Sequence, residues 1–267
     1  MNPEKADTTT AGIVFQPMGV DGLSVSFDWY NIDINDAIAQ LASQAVVNGC
    51  VPPAITSLCE YVIRDPITND IVRVDNLFIN LQRQVIEGTD LELTYRFGNF
   101  GLRTFVTHLM ENSVQSPGGL PDDRAGDIGG TNAGMPDLKV TANLSWQRGP
   151  FSMFVQERYI GGGTLDRFLL EGDRTRINEI PVERRSLYST IDDNSIPSTY
   201  YTDLGLRFAF GRDDAWEVFG NINNLFDQEP RATAQIVGRA GVNEFNSAAL
   251  LYDILGRTMT VGARLSF

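Results

Sequence analysis

A two-residue period constrains this chain most. It is clearest at the end, where Met259, Val261, Ala263, Leu265 and Phe267 share one face and Thr258, Thr260, Gly262, Arg264 and Ser266 share the other. Successive side chains of a β-strand point to opposite faces, so such a segment has one oily and one wet surface. The pattern recurs upstream. Leu23, Val25, Phe27 and Trp29 oppose Ser24, Ser26, Asp28 and Tyr30, and Leu91, Leu93, Tyr95 and Phe97 oppose Asp90, Glu92, Thr94 and Arg96. Leu138, Val140, Ala142, Leu144 and Trp146 oppose Lys139, Thr141, Asn143, Ser145 and Gln147. Leu204, Leu206, Phe208 and Phe210 oppose Asp203, Gly205, Arg207 and Ala209, and Trp216, Val218, Gly220 and Ile222 oppose Glu217, Phe219, Asn221 and Asn223. A soluble sheet uses one such surface for its core. A membrane β-barrel needs it in every strand, with lipid on one side and a wet lumen on the other.

The connections sharpen the choice. About nine strands are expected, over 8–17, 23–34, 77–97, 102–112, 138–147, 151–160, 198–210, 215–226 and the end of 251–267. The segment 102–112 alternates less clearly than the others. Tight turns at 18–22, 98–101, 148–150 and 211–214 alternate strictly with long connections at 35–75, 113–134, 161–197 and 227–250. In an antiparallel meander every second connection lies at the same end, so all long loops fall on one side. That asymmetry belongs to outer-membrane barrels, with short periplasmic turns and long extracellular loops. A Greek-key sandwich has no reason to keep it, and loops beyond about 15 residues are uncommon in compact soluble domains. Within the first long connection, 36–47 has helical composition and is expected as a short helix.

Charge narrows the partners. The chain has 21 basic and 34 acidic residues, a net charge of −13, which disfavours a nucleic-acid backbone. The long connections hold 18 acidic and 10 basic residues, which mildly disfavours polyanionic cargo. No run reaches the roughly 18 apolar residues of a membrane helix, which a barrel does not need. The opening residues MNPEKADTTTAG have neither a basic nor an apolar region of the secretory kind, so no signal is expected in this chain. The ionisable groups of the wet face (Asp28, Asp90, Glu92, Arg96, Lys139, Asp203, Arg207, Glu217 and Arg264) would be expensive in a dry core but solvated in a lumen. Trp29, Trp146 and Trp216 fall near strand ends, where an interfacial belt sits.

Several stretches resemble TonB-dependent outer-membrane receptors. They are VFGNINNLFDQEP at 218–230 followed by YDILGRTMTVGARLSF at 252–267, with TAGIVFQP at 10–17, DWYNIDINDAI at 28–38 and GTDLELTYRF at 88–97. The resemblance covers nearly the whole chain. It implies an all-β, antiparallel, up-and-down transmembrane barrel, of which residues 1–267 would form the C-terminal part. The implied activity is energy-coupled uptake of a scarce nutrient of the siderophore, cobalamin or oligosaccharide class. The implied partners are outer-membrane lipid, the remaining barrel strands and plug, the TonB complex and a small-molecule cargo, with no enzymatic role. The family's plug and energy-coupling box are not among these residues. A secreted all-β adhesin or carbohydrate-binding module, and a small porin, are the competing readings.

Cys50 and Cys59 are the only cysteines and share one long connection. With no nearby histidine they do not complete a zinc site, and a loop disulfide fits an oxidising compartment better; the resemblance also implies the pair. His108 is the only histidine, which rules out multi-histidine sites and leaves a structural role. Neither a nucleophile elbow nor a phosphate-binding loop is present. The pairs Asp122-Asp123 and Asp192-Asp193 read as solvated loop residues, because calcium needs six or more oxygens. Gly161-Gly162-Gly163 opens a charged loop rather than a helix, so it does not cradle phosphate. Asn221, Asn223 and Asn224 either touch cargo or belong to the strand-end motif. No cofactor or metal is expected, and no cargo-binding residue is assigned.

Overall fold

The computed structural model describes residues 3–40, 43, 46–47, 50, 56–75, 78–115, 121–129, 135–182, 185, 188–212, 215–232 and 251–266. Nine long strands carry the chain: β1 Lys5–Phe15, β2 Leu23–Gln40, β3 Phe78–Phe97, β4 Phe100–Gln115, β5 Leu138–Arg148, β6 Phe151–Ile160, β7 Thr199–Phe210, β8 Trp216–Asn223 and β9 Thr258–Leu265. Each pairs with the next in chain order, and the two-residue strand Asp122–Asp123 is attached to β4. The ladders from β4 to β9 are all antiparallel. β1 and β9 stand at the two ends of this path, and among the described residues no ladder closes the sheet between them.

Register shows why the alternation matters. Leu102, Leu144, Val155, Leu204, Ile222 and Met259 are successive Cα partners across six strands. The next row, one residue along, is Gly101, Ser145, Phe154, Gly205, Asn221 and Thr260. A slip of one residue in any ladder would place an aliphatic side chain among polar ones, so the pattern itself pins the register. The tight turns do the same locally. Gly98 has φ +56 as the first of two residues between β3 and β4, the position where a II′ hairpin turn requires positive φ.

At the turn end the oily face becomes aromatic. Tyr95, Phe97, Phe100 and Trp146 are in contact in series, with centroids 4.9, 5.2 and 6.4 Å apart. Phe151, Phe208, Phe210 and Trp216 form a second series at 4.6, 5.6 and 6.3 Å. This is where an interfacial girdle belongs.

The chain divides into two compact units. One contains Met1–Thr9, Tyr30–Glu87 and Glu111–Asp123; the other contains Thr10–Trp29, Gly88–Met110 and Arg124–Phe267. The first has a small core of Val46, Leu58 and Val62, against which Cys50, Tyr61 and Val74 pack. Cys50 and Cys59 are joined there as a disulfide, with Cα atoms 4.9 Å apart. A short antiparallel pair, Val62–Arg64 with Ile71–Val74, follows the 3-10 turn Thr56–Tyr61.

The expected helix at 36–47 does not start where composition suggests. β2 runs on to Gln40, and helix appears only at Ser43, Val46 and Val47 among the described residues. Tertiary partners override a weak local preference here: Ile38 N–H donates to Glu4 Oε2 at 3.0 Å, and Asn80 Nδ2 donates to the Asp36 carbonyl at 2.7 Å. The second unit's long connection at 161–197 holds two small ladders. Gly163–Thr164 pairs antiparallel with Ser195–Ile196, and Leu169–Glu171 pairs parallel with Ser189–Ile191.

Candidate functional site

The polar face of β3–β9 in the second unit is a wall of cross-strand pairs. Arg103 Nε donates to Glu92 at 2.8 Å, Thr107 to Asp90 at 2.8 Å, and Gln156 to Asn143 at 2.8 Å. Arg158 lies 3.3 Å from Asp203. Arg207 reaches both Ser152 at 3.1 Å and Glu217 at 3.2 Å, and Arg264 stands 3.9 Å from the same Glu217. Most of these cations are half exposed, so each pair contributes about 1 kcal/mol at most. Their effect lies in the chemistry they present, which is hydrated charge of both signs along one face.

Two cavities open on this wall. The larger, about 810 Å³, is lined by Arg96, Ser152, Arg207, Glu217, Asn221 and Arg264 among others. Three guanidiniums against one carboxylate leave it net positive. The smaller, about 340 Å³, lies against Arg158, Asn223, Tyr252, Asp253 and Thr258. Tyr252 is buried at 3% exposure, and its hydroxyl has no hydrogen-bond partner among the described residues. Burial pushes this phenol up from its ordinary pKa.

Above the wall, segments from distant parts of the sequence pack into a core of Ile128, Ile160, Leu165, Ile196, Tyr201 and Tyr252. Asn194 staples it, accepting from Asp166 N–H and donating to the Asp166 and Leu169 carbonyls. Arg124 clasps it from the side. Its Nη1 lies 2.7 Å from Asp127 and 3.5 Å from Asp166, and its guanidinium sits 4.6 Å from the Phe168 ring centre. Asp127 is 1% exposed, and burial raises its carboxyl pKa even though the Arg124 hydrogen bond pulls the other way. The glycine run has a packing reason in this region. A Cβ on Gly163 would sit 2.2 Å from the Gly126 carbonyl.

The residues singled out by sequence now separate. Asn221 lines the larger cavity and Asn223 the smaller, donating to Thr258 at 3.3 Å. Asn224 is structural: fully buried, at φ 53, it exchanges two hydrogen bonds with the Gln228 backbone. His108 is exposed on the oily face opposite Leu138. Asp123 accepts from Asn112 N–H, and Asp193 from Ser195 N–H and Oγ, so each acidic pair serves local loop geometry. Arg103 and Arg158 were missed. Their strands hide the period, because Phe105 and Phe154 lie on the polar face, with the Arg103 guanidinium 4.4 Å from the Phe105 ring centre.

Comparison with known proteins places this geometry. Residues 1–225 match the family described as TonB dependent receptor-like, beta-barrel. No curated protein matches the chain. Among solved structures it is similar to the ferric enterobactin receptor of Pseudomonas aeruginosa in complex with enterobactin, at 16% identity and a TM-score of 0.61, covering 99% of this chain and 32% of that one. It is also similar to the ferric-catecholate import receptor Fiu of E. coli, at 15% identity and a TM-score of 0.55, covering 100% and 28%. The FrpB iron transporter of Neisseria meningitidis gives 14% identity and a TM-score of 0.55, covering 99% and 31%. The chain thus spans about a third of these structures' length, and identities this low speak for the fold. No helix among the described residues is long and apolar enough to cross a membrane, which says nothing of a β-barrel. Both the family match and the alternating rows of the sheet lead to one conclusion: the chain belongs to the TonB-dependent receptor β-barrel family.

Proposed function

We propose that this chain is the C-terminal part of the barrel wall of an outer-membrane receptor that imports a siderophore-type iron chelate by coupling to TonB. The remaining strands, a plug and the energy-coupling segment would come from other parts of a receptor-length protein. The observation that carries the reading is the pairing of faces. Continuous rows such as Leu102–Met259 are backed, one residue away, by the charged and amide wall. Oxygen-rich, charged cargo needs such a hydrated wall, and Arg158, Asn223 and Tyr252 at the smaller cavity are the candidate cargo contacts. The names of the similar solved structures, all concerned with ferric catecholates or iron, favour iron chelates over cobalamin or oligosaccharides.

The test is uptake in iron-starved cells with the receptor-length gene intact or deleted. Radiolabelled ferric catecholates and hydroxamates are supplied, before and after collapse of the proton-motive force. Accumulation that depends on both the gene and the proton-motive force is expected. Uptake that ignores the deletion would refute the reading, and gene-dependent entry that persists after collapse would make the barrel a passive pore.

A further inference from the structure

Arg158 on β6 is held at one end and open at the other. Its Nε lies 3.3 Å from Asp203 Oδ2, and its guanidinium carbon sits 5.3 Å from the ring centre of Tyr201, its Cα partner on β7. Tyr201 is fully buried, so the ring is a fixed floor, and an aromatic face attracts a guanidinium within about 6 Å. Nε is sealed from solvent and makes no hydrogen bond, so charge and ring contact are what hold it. The Nη atoms differ. They make no hydrogen bond among the described residues, and unlike Nε they are not sealed, in a side chain that is 37% exposed. Arg158 lines the smaller cavity, so the open edge of the fork belongs to that wall. The other oxygen of Asp203 reaches a second part of the same cavity. Oδ1 accepts from Asn224 N–H at 2.8 Å. Asn224 is the left-handed residue after Asn223, and Asn223 and its partner Thr258 both line the cavity. Asp203 itself is 15% exposed and lines neither of the two cavities. One largely buried carboxylate thus ties β6 to the end of β8.

We propose that Asp203 is a positioning residue, which fixes the Arg158 fork so that its Nη edge receives two adjacent oxygens of an anionic cargo group, as carboxylate or catecholate chemistry supplies. The role rests on the reading of the smaller cavity as a cargo contact. A guanidinium is planar, and its paired N–H groups match two oxygens at once, which adds geometric specificity to strength. That match needs the plane to be held. Clamped between Asp203 and the Tyr201 ring, the fork gives up less freedom when the ligand arrives. Asp253, a carboxylate in the lining, is engaged by Leu255 N–H at 3.0 Å. Asp203→Asn breaks the clamp selectively. The amide oxygen keeps an acceptor for Asn224 N–H, while the amide nitrogen sets donor against donor at Arg158 Nε.

The experiment uses the receptor-length protein purified in detergent, with heat-modifiability confirming that each variant is folded. Phenylglyoxal, which reacts with the paired Nη groups of accessible arginines, reports the fork without any cargo, and peptide mass spectrometry reads Arg158 by itself. Binding of ferric tris(catecholate), an anion, and of ferric tris(acetohydroxamate), which is neutral, is followed by tryptophan fluorescence. Asp203→Asn should speed Arg158 labelling about threefold or more, the range of coupling between residues in contact. Asp203→Asn and Arg158→Ala should each weaken the anionic complex about tenfold and the neutral one less than about twofold, as loss of a charge-assisted bond would. The double variant should bind no worse than Arg158→Ala, because Asp203 acts through that side chain. Labelling unchanged by Asp203→Asn, or losses that add in the double variant, would overturn the positioning role, and equal losses for the two complexes would overturn the choice of an anionic group. Faster labelling with binding indifferent to Arg158→Ala, or no saturable binding of either complex, would fault the cargo contacts assigned to the smaller cavity and overturn this proposal with them.

Discussion

Replacing Arg124 by alanine tests how the loop core is held. Arg124 is 16% exposed on its side chain, and it covers the carboxylate of Asp127, itself 1% exposed. Removing one partner of a buried pair typically costs 3–5 kcal/mol, because the other charge stays buried. The 3.5 Å contact to Asp166 and the Phe168 ring add less. A loss of about 3 kcal/mol corresponds to roughly a hundredfold rise in local opening, since 1.4 kcal/mol is one decade. Hydrogen exchange reads this directly. The amides of Ile128 and Leu165, bonded to the Thr164 and Asn194 carbonyls at 2.8 Å, should exchange about a hundred times faster, while those of the β6–β7 ladder hold. The effect depends on pH. Asp127 has a raised pKa in the folded loop, so its contribution to stability is fully present below its unfolded pKa and is lost as pH rises through the folded value. Without Arg124 that pKa climbs further, and the penalty should shrink in acid, where Asp127 is neutral. Asp127→Asn should rescue Arg124→Ala at neutral pH. Exchange changed less than threefold, or a penalty that grows in acid, would refute the reasoning.

Non-reduced peptide mapping of envelope protein should recover Cys50 linked to Cys59; two alkylatable thiols would contradict the pairing. Replacing both by serine should cost the first unit about 2–3 kcal/mol by the loop-closure relation for so short a loop, read as earlier proteolysis of that segment. Asn224→Ala should destabilise by about 2 kcal/mol, from lost hydrogen bonds and a strained left-handed backbone, and Asn224→Gly by less; equal thermal shifts would argue against the strain. Expressed alone behind a borrowed signal peptide, the 267-residue chain should aggregate or be degraded, because among the described residues β1 and β9 each present an unpaired edge that lipid does not tolerate. A heat-modifiable, protease-resistant monomer that conducts ions would show that it closes unaided.

Legibility in the sequence followed the range of the forces involved. Strands 138–148 and 199–210 read correctly because every alternate residue reports its face, and tight turns such as the one at Gly98 announce themselves locally. β6 did not yield its faces, since Phe154 faces the polar wall and Glu157 the oily one. Composition misread 36–40, where a partner 34 residues away, Glu4, holds the backbone extended. The loop core was invisible for the same reason. Ile128, Leu165, Ile196 and Tyr252 come from four separated segments, and nothing local marks them as neighbours. The polar wall was foreseen as a list of charges, but Arg207 and Arg264 sharing Glu217 is a fact of register.

That shared loop core bears on how such a protein can change its surface over generations. The segments around Ile128, Leu165, Ile196 and Tyr252 each contribute to one packed cluster, so a substitution tolerated by one must suit the other three. Drift there is coupled, and insertions near 126–129 or 194–196 should unsettle all four together. The 3-10 turn Arg174–Glu179 buries none of its residues. With none of its residues buried, it is the stretch expected to accept a short insertion such as an epitope tag while the four-segment cluster keeps its packing.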